Sequence, residues 1–521
     1  MDIARLLTWT AERHPDRRAV GGPRPMTYRQ WDAHTNQLAR ALASLGARRG
    51  DRIALLMSNG LELASLHLAI QKLGAVAVPL STRYGTAELA HCLRDCAPRL
   101  LVTDASTGGA AERVPAEAVR VHAGHPGEAP PGTVPLDAIV GAQPDGAVDL
   151  DVTGEDISLM LYTSGTTGKP KGVPRTHAAE HAATVAHIIQ ARHRGGEVAL
   201  GVMPLFHTMG VRSLLASVAA GGTWVPQRRF DAEESLELIT SERITALYLV
   251  PTAYWSLLAT GRLPQASSLR LLGSAGAPMT PTLAAGLSQA VRPDAFVNHL
   301  GSTEIYTFTV EPDVRVAPGR AGVAGLFGRV RLVATDQHAT ADDVVPPGEQ
   351  GQLIVSMRSP EAFGGYWKRP DADAAAIRGG WYFTGDLAVA DEEGALWYAG
   401  RMDDLINSGG EKIYPVDIEA SLARCPAAAE VVVAGLPDER WGQAVTAFVV
   451  PAAGRSPEQT LGAMAEFARN QAGLPSLKRP KRIVVLAALP KSAVGKILRR
   501  ELVAGEFTPL ADSATTLRTA A

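Results

Sequence analysis

A glycine-rich segment at residues 162–172, YTSGTTGKPKG, contains the residue types needed to hold a polyphosphate. Its glycines let the backbone turn tightly and approach an anion, while hydroxyl groups and lysines supply donors and positive charge. The segment is not a Walker A loop, because its glycines are too close together and the first lysine precedes a proline. The apolar run at 157–161 predicts a buried strand before it. The donors are those of Thr163, Ser164, Thr166, Thr167, Lys169 and Lys171.

The segment HAAEH at 177–181 fits the pattern of inverted zinc metalloproteases. In that interpretation His177 and His181 would share one face of a helix and Glu180 would act as the base. The pattern is short, the chain has 13 histidines, and the segment lies just behind the glycine-rich loop. An ordinary helix after that loop is therefore favoured, with a zinc hydrolase as a remote alternative.

Seven further motifs follow in order along the chain. They are MPLFH at 203–207, GSTE at 301–304, GYW at 365–367, TGD at 384–386, GRMDD at 400–404, GGEKI at 409–413 and PKSAVGKILR at 490–499. Together with the loop they resemble the adenylate-forming superfamily of acyl-CoA and aryl-CoA ligases, luciferase-type enzymes and peptide-synthetase adenylation domains. The resemblance covers residues 5–505. DERWG at 438–442 and KRPK at 478–481 are similar to aryl-CoA ligases of the 4-chlorobenzoate type.

The resemblance implies a two-step ligase reaction. A carboxylate attacks the α-phosphate of ATP, with Mg²⁺, to give an acyl-adenylate; the C-terminal domain then rotates about Asp403 and the thiol of CoA displaces AMP. By matching position, Glu304 is the Mg²⁺ ligand and Thr303 contacts the α-phosphate. Lys496 bridges the substrate carboxylate and this phosphate, where a cation stabilises developing charge. The implied nucleotide-binding residues are Thr163, Ser164, Gly165, Thr166, Thr167, Gly276, Ala277, Leu300, Gly301, Ser302, Asp386 and Arg401.

The acyl pocket is also implied by matching position. Val185 stands where similar aryl-CoA ligases carry a large aromatic residue, so we expect a bulkier or less planar acid than benzoate. No charged side chain to pair with an amino-acid ammonium group is evident among the implied pocket positions, which counts against an amino-acid substrate. His207 lies between the pocket and the thiol tunnel and is counted with the catalytic residues. The implied pocket is Val185, His207, Thr208, Met209, Tyr248, Ala275, Ile305 and Tyr306.

The CoA site is implied by a third group of residues. Gly409 and Gly410 match the backbone that lines the pantetheine tunnel, where a side chain would block the thiol. Trp441 is expected to face the adenine of CoA, with core packing as the alternative. The cations expected near the CoA phosphates, for which a solvated surface is the alternative, are Arg83, Arg479 and Lys481.

One position departs from the family pattern. The residue before GSTE is usually a tyrosine whose ring lies against the adenine of ATP, and here it is Leu300. Base–aromatic stacking is worth about 1–3 kcal/mol, so its loss predicts weaker adenylation. Thioesterification is then the more secure activity. The alternatives are an enzyme that only thioesterifies a preformed acyl-adenylate supplied by a companion enzyme, and a non-catalytic protein that binds acyl-adenylate or CoA.

The elements that position these motifs alternate between helix and strand patterns. Buried strands are predicted at 52–57, 75–79, 100–103, 200–204, 223–226 and 246–250, with helices at 31–45 and 61–73, which indicates parallel βαβ layers. Residues 104–150 are predicted to be an irregular connection. From about 345, short strands between glycine turns predict a small β-barrel-like unit. We expect a large α/β N-terminal body at 1–402, a smaller mobile α+β domain at 403–521, and a disordered tail at 507–521.

The overall composition excludes several classes of protein. With 51 basic and 53 acidic residues the chain has no bulk attraction to nucleic acid or anionic membranes. Three cysteines fit a reducing compartment, and no secretory signal or long apolar run is evident, so a cytoplasmic protein is expected. Nine of the basic residues are lysines, and seven of these nine lie in segments matched to nucleotide, CoA or the mobile domain.

Overall fold

The computed structural model describes residues 2–114, 117–148, 152–163, 169–336, 338–409, 411–491 and 497–513. The chain forms two compact units. The first comprises Met1–Val330 and Val355–Tyr382, and the second comprises Arg331–Ile354 and Phe383–Ala521. The predicted α/β fold with a larger N-terminal part and a smaller C-terminal part is confirmed. The predicted hinge at Asp403 lies inside the second unit and stays a prediction.

One sheet of the first unit is built mainly from parallel strands. Five neighbouring pairs in its centre are parallel, whereas the strands at its two ends are antiparallel to their neighbours. Apolar runs such as ALYL at 246–249 form its buried interior, as expected for strands covered on both faces. In spatial order the strands are Arg320–Ala324, Thr309–Glu311, Ala295–Leu300, Leu271–Ala275, Ala246–Leu249, Val198–Gly201, Thr223–Pro226, Arg18–Val20 and Met26–Thr27.

A second sheet in this unit has six parallel strands followed by one antiparallel strand. Two of its strands, Val119–His122 and Val134–Pro135, lie in the segment that was predicted to be irregular, and that prediction is wrong there. They extend the sheet because Val119–His122 pairs along Leu100–Thr103. In spatial order the strands are Val134–Pro135, Val119–His122, Leu100–Thr103, Arg52–Leu56, Val76–Pro79, Ile157–Thr163 and Lys171–Thr176.

The helices of the first unit bury apolar faces against these sheets, and several begin at a hydroxyl cap. Thr27 and Gln30 form a reciprocal cap at one of them, and Trp31 in its first turn is fully buried and donates to Ser65 Oγ at 2.8 Å. The helices are Leu6–Arg13, Tyr28–Ser44, Leu61–Lys72, Thr86–Cys96, Gly108–Glu112, Asp137–Val140, His177–Gln190, Thr208–Ala219, Ala232–Ser241, Pro251–Ala259, Pro281–Val291 and Pro370–Ala376.

The second unit contains a row of four neighbouring strands, of which Trp381–Ala390 and Leu396–Arg401 are antiparallel, and a separate mixed sheet. The strands Val330–Val333, Gln350–Ser356, Trp381–Ala390 and Leu396–Arg401 are neighbours in that order. The mixed sheet contains Glu411–Ile413, Ile406–Ser408, Gly442–Pro451, Arg482–Val485 and Ala511–Asp512, with Ala428–Asp438 paired to Gly442–Pro451. Its helices are Pro415–Leu422, Pro457–Asn470 and Arg499–Val503.

The C-terminal segment differs from the expected disordered tail as far as residue 513. Ala511–Asp512 pairs with Val484 and Val485, the Arg482 guanidinium is ion-paired with Asp512, and Ile483 N donates to Ser513 Oγ at 2.8 Å. These contacts tie the segment to an edge strand, which the polar composition of the tail did not indicate. Among the described residues, no helix is both long enough and apolar enough to cross a membrane.

Candidate active site

The carboxyl ends of three adjacent parallel strands bring several predicted site residues together. Tyr248 pairs with Gly273, and Ala275 pairs with His299, so the ends of these strands lie at one edge of the sheet. Gly276 and Ala277 follow the second strand, and Leu300 ends the third. In open α/β sheets such an edge is where ligands bind.

The turn after Leu300 depends on glycine. A Cβ on Gly301 would lie 2.1 Å from the Tyr306 carbonyl oxygen, so only glycine allows the chain to pass there. Ser302 Oγ accepts hydrogen bonds from the backbone N–H groups of Glu304 and Ile305 at 3.2 and 3.4 Å. The turn therefore fixes the backbone on which Thr303 and Glu304 are carried.

A tyrosine to which the sequence analysis assigned no role orients the Glu304 carboxylate. The Tyr366 hydroxyl donates to Glu304 Oε1 at 2.7 Å, and both side chains are buried. Burial and the Glu304 charge raise the pKa of the Tyr366 phenol, so the phenol remains a donor. Lys171 Nζ lies 4.1 Å from the centre of the Tyr366 ring, and burial lowers the pKa of this ammonium while Glu304 opposes the shift. Glu304, Tyr366 and Lys171 form one polar cluster.

Arg175, which is fully buried, joins the strand after the loop to the Glu304 turn. Its Nε donates to Glu180 Oε1 at 2.5 Å, and its Nη1 donates to the carbonyl oxygens of Glu304 and Glu361 at 3.1 and 2.8 Å. Thr303 is half-buried and its carbonyl oxygen accepts from the same nitrogen at 3.4 Å. Arg175 therefore holds the backbone of the candidate cation ligand.

The contact between Arg175 and Glu180 also bears on whether the HAAEH segment is a zinc site or an ordinary helix. The segment begins the helix His177–Gln190, capped by Thr176 Oγ1, and a strand separates it from the loop. Glu180 is ion-paired with Arg175 and buried. Within the described part of the chain, no group of three or more histidine, cysteine or acidic side chains is arranged to hold a metal ion. The segment is thus an ordinary helix start, and Glu180 is not placed to act as a hydrolytic base.

The predicted phosphate loop is described only at its two ends. Thr163 ends the strand Ile157–Thr163 and pairs with Lys171 in the antiparallel partner strand. Ser164, Gly165, Thr166 and Thr167 lie outside the described residues, as do Gly410 and Lys496. Their predicted roles stay predictions.

In the second unit, the predicted ribose-binding residues lie opposite each other on paired strands. Asp386 and Arg401 are register partners, and Arg401 Nη1 donates to Asp386 Oδ1 at 3.0 Å. Thr384 Oγ1 accepts from the Asp386 N–H at 2.9 Å and holds that residue in place. The predicted hinge residue Asp403 follows in the turn Met402–Asp404, 3.8 Å from Arg401 Nη2.

Also in the second unit, Trp441 lies among cations. Its ring centre is 5.0 Å from the Arg440 guanidinium carbon and 5.3 Å from Lys481 Nζ. Burial, followed by the charges of Arg479 and Arg440, lowers the pKa of Lys481. Gly409 donates its N–H to the Trp441 carbonyl at 2.8 Å, and a Cβ on Gly409 would lie 3.1 Å from the indole. This half-buried indole offers an aromatic face beside an electropositive surface.

The predicted acyl-pocket residues lie on two helices, on two strands and in the turn after Leu300, all in the first unit. Met209, Tyr248, Ile305 and Tyr306 are buried, while Val185, His207, Thr208 and Ala275 are half-buried. His207 precedes the helix Thr208–Ala219, with its ring 4.8 Å from that of Phe206. Arg83, predicted for CoA, is exposed in the first unit.

The structure adds contacts of polar residues that the sequence analysis did not predict. Tyr366 lies in the GYW motif, which was recognised without a role for its tyrosine. Arg175 follows the loop closely, but nothing in its local sequence indicates that it would be buried. His187 and His299 are fully or almost fully buried beside Tyr248, with ring centres 4.6 and 5.6 Å from it.

Comparison with known proteins identifies the family. Residues 7–367 match the model of the AMP-binding enzyme family, and residues 417–496 match the AMP-binding enzyme C-terminal domain. The chain therefore belongs to the AMP-binding enzyme family. Its relatives are named CoA ligases, and the chain is an acid–thiol ligase of the acyl-CoA synthetase type.

Individual relatives and structures agree over nearly the whole chain. A feruloyl-CoA synthase of Amycolatopsis sp is 36% identical over 503 residues, 95% of each chain. A 4-chlorobenzoate–CoA ligase of Arthrobacter sp is 31% identical over 511 residues, 95% of this chain and 94% of the relative. An anthranilate CoA ligase, AuaEII, in complex with anthranoyl-AMP matches with TM-score 0.87 and 28% identity over 97% of each chain. ATP-bound MatB from Rhodopseudomonas palustris has TM-score 0.84 and 27% identity, over 97% of this chain and 99% of that one.

Proposed function

We propose that this ligase joins a bulky hydrophobic carboxylic acid, aryl, alicyclic or similar, to CoA through an acyl-adenylate. The observation that carries the proposal is the turn at 300–306 in the first unit. On it, the buried Glu304 carboxylate, oriented by Tyr366 at 2.7 Å, is followed directly by the buried side chains of Ile305 and Tyr306. A carboxylate suited to a phosphate-bound cation and an apolar wall suited to an acid are thus adjacent in the chain.

In the first step, an oxygen of the substrate carboxylate attacks the α-phosphorus of ATP, and the bond to pyrophosphate breaks. We assign the phosphates to the 163–167 loop, the α-phosphate contact to Thr303, and the ribose hydroxyls to Asp386 and Arg401. Lys496 supplies a cation between the reacting carboxylate and phosphate. Glu304 would hold Mg²⁺, since a carboxylate beside nucleotide phosphates is the ligand set that this ion prefers, and the ion would neutralise phosphate charge.

In the second step, the thiol of free CoA adds to the acyl carbon and AMP leaves with the electron pair of the broken bond. Rotation of the C-terminal domain about Asp403 would exchange the two half-sites. The backbone of Gly409 and Gly410 would line the thiol tunnel. The Trp441 indole, flanked by Lys481 at 5.3 Å, would receive the adenine of CoA, with Arg83 and Arg479 near its phosphates.

Leu300 supports a finer proposal, that adenylation is the weaker half-reaction. This residue ends the strand at the nucleotide edge and is half-buried, so its side chain offers an apolar wall without an aromatic face. The loss of a stacking contribution of about 1–3 kcal/mol weakens binding of ATP by about five- to 150-fold. The same observation favours a second candidate function, thioesterification of an acyl-adenylate made by a companion enzyme.

A panel of carboxylic acids tests both proposals. Each acid is supplied once with ATP, Mg²⁺ and CoA, and once as the preformed acyl-adenylate with CoA. We expect at least one bulky hydrophobic acid to give its CoA thioester, with faster formation from the adenylate than from ATP. If no acid gives a thioester in either arm, the proposal that the ligase accepts a bulky hydrophobic acid is contradicted. Brisk ATP–pyrophosphate exchange in the wild type would contradict the proposal that adenylation is weak.

A further inference from the structure

A small cavity lies in the first unit among two helices and their neighbouring strands. Its polar lining residues come from both helices, from the segment that follows one of them and from a strand, and it has room for about one water molecule or a group of that size. The polar lining residues are His187, His193, Ser213 and Tyr248.

Polar atoms of three lining residues, and of His299 beside them, lack partners among the described residues. Both ring nitrogens of His187, both of His299, Nδ1 of His193 and the Tyr248 hydroxyl form no hydrogen bond within the described part of the protein. His187 is 0% exposed, His299 2% and Tyr248 6%. A buried polar group without a partner costs free energy, so such groups are normally satisfied by protein, water or a ligand.

These side chains form one cluster rather than separate defects. The ring centre of His187 is 5.1 Å from that of His193 and 4.6 Å from that of Tyr248. The ring centre of His299 is 5.6 Å from those of both His187 and Tyr248. The four rings therefore form one cluster, of which His187, His193 and Tyr248 line the cavity.

The cavity continues the predicted acyl pocket inward. Ser213 lies four residues after Met209 on the helix Thr208–Ala219, and thus on the same helix face. Gly273 lies two residues before Ala275 on the strand Leu271–Ala275, and thus on the same sheet face. Tyr248 belongs to both the pocket and the cavity lining. A group in the cavity would therefore be attached to the end of the acyl chain remote from the carboxylate.

The charges around the cavity favour a neutral group. Burial, and then the charge of Arg212, lowers the pKa of His187 and of His299 well below its ordinary range, so both imidazoles are neutral near pH 7. Arg212 is itself held by the Tyr306 carbonyl and Thr307 Oγ1 at 3.0 Å each. Glu361 is buried nearby, and Arg212 opposes the rise in its pKa that burial causes. The Arg212 charge is thus held by hydrogen bonds to the Tyr306 carbonyl and Thr307, with the Glu361 side chain nearby.

A further charged neighbour is Arg270: burial lowers the pKa of His193, and the Arg270 charge lowers it further. Its guanidinium is paired with Glu197. A neutral imidazole presents one N–H donor and one acceptor nitrogen, and a phenol likewise donates and accepts. A hydroxyl group matches this lining, because it too can donate one hydrogen bond and accept others.

We propose that this cavity binds a hydroxyl group at the distal end of the substrate, so that the acid is a hydroxylated hydrophobic acid rather than a purely hydrocarbon one. The inference rests on the proposed function and narrows its substrate class. His187, His299 and Tyr248 are then specificity residues, whose hydrogen bonds are completed only by the correct acid. A site built to bond a hydroxyl disfavours the analogue without it, since its own polar groups are left unpaired.

The experiment compares acids in matched pairs that differ only in the distal group. The probes are benzoate and 4-hydroxybenzoate, cinnamate and 4-hydroxycinnamate, 3-phenylpropanoate and its 4-hydroxy derivative, and octanoate and 8-hydroxyoctanoate, with 4-carboxycinnamate as a charged arm. We expect kcat/KM to favour the hydroxylated member of at least one pair by about tenfold or more. Tyr248→Phe and His187→Phe should each reduce this preference at least threefold, while Tyr28→Phe, which removes a buried hydroxyl elsewhere, should not change it.

Binding separates this inference from the proposed function. Calorimetric titration of the same pairs as non-hydrolysable acyl-adenylate analogues requires no turnover, so it tests the cavity even if no CoA thioester forms. Thioester formation without any hydroxyl preference would overturn the cavity proposal and leave the ligase reaction standing. Equal binding by both members of every pair, including no binding by either, or preference for the 4-carboxy acid, also overturns it.

Discussion

Replacing Tyr366 by phenylalanine should impair adenylation selectively. The change removes the hydroxyl that donates to Glu304 Oε1 at 2.7 Å and keeps the ring that lies 4.1 Å from Lys171 Nζ. A hydrogen bond to a charged group contributes about 1.5–3 kcal/mol net, which corresponds to about 10- to 150-fold. We therefore expect ATP–pyrophosphate exchange to fall by about that factor, because the buried Glu304 carboxylate loses the donor that orients it.

Two comparisons decide how this result is interpreted. The rate of thioester formation from preformed acyl-adenylate should change less than about threefold, because that step does not use the Mg²⁺ that Glu304 would hold. Tyr28→Phe removes a fully buried hydroxyl that donates to the Gly222 carbonyl at 2.7 Å, and it serves as the matched control for lost stability. Unchanged exchange in Tyr366→Phe, or an equal loss in both half-reactions, would refute the orienting role.

Three further substitutions test other parts of the structure. Trp441→Ala should raise KM for CoA by about five- to 150-fold with ATP–pyrophosphate exchange unchanged, because it removes an aromatic face worth about 1–3 kcal/mol; an unchanged KM contradicts this role. Gly301→Ala should lower the rate of ATP–pyrophosphate exchange about 100-fold, because the alanine Cβ would lie 2.1 Å from the Tyr306 carbonyl oxygen and displace the turn that carries Glu304. A normal rate of exchange would show that the turn tolerates a side chain. Glu180→Gln should lower the free energy of unfolding by about 3–5 kcal/mol in urea titrations, because it leaves the Arg175 charge buried and unpaired; a loss no larger than that of the exposed-site control Glu392→Gln contradicts this.

The parallel layers could be predicted because their strands are apolar on both faces. Runs such as ALYL at 246–249 and LLVT at 100–103 have few polar residues, so their burial is visible locally. The strand Val119–His122 was missed because only two of its four residues are buried and its surroundings are rich in alanine, glycine and proline. Its place in the sheet comes from pairing with Leu100–Thr103, which no local pattern records.

The candidate site was predictable where a motif carries the chemistry and hidden where long-range packing creates it. Glu304, Asp386 and Gly301 stand in short motifs whose residue types match phosphate, ribose and cation chemistry. Arg175 and Glu180 are five residues apart, but their burial depends on the turn at Glu304 and on residue 361, far along the chain. His187 and His299 are 112 positions apart in sequence, and only the sheet and the helix above it bring their rings within 5.6 Å.

The nine lysines also show that a local motif predicts some contacts and not others. Lys171 contacts the Tyr366 ring and Lys481 lies beside Trp441, which fits the expectation that lysines concentrate at the working surfaces. Lys478, however, is ion-paired with Asp417 at 2.7 Å, and Lys491 with Glu430 at 2.5 Å. Lys72 is buried in the first unit, where it pairs with Asp32 at 2.6 Å and has no connection to the motifs. Position in a matched segment therefore indicates, but does not by itself assign, a contact with phosphate.

The most direct test of the account compares the two half-reactions in single turnovers with one acid that the enzyme accepts. The rate of acyl-adenylate formation from ATP is measured by rapid quench, and the rate of thioester formation is measured from the same preformed adenylate with CoA. The account predicts that, at ATP concentrations below its KM, adenylation is the slower step and that Leu300→Tyr accelerates it by about tenfold, without changing thioester formation. Adenylation as fast as thioester formation in the wild type, and unaffected by Leu300→Tyr, would contradict it.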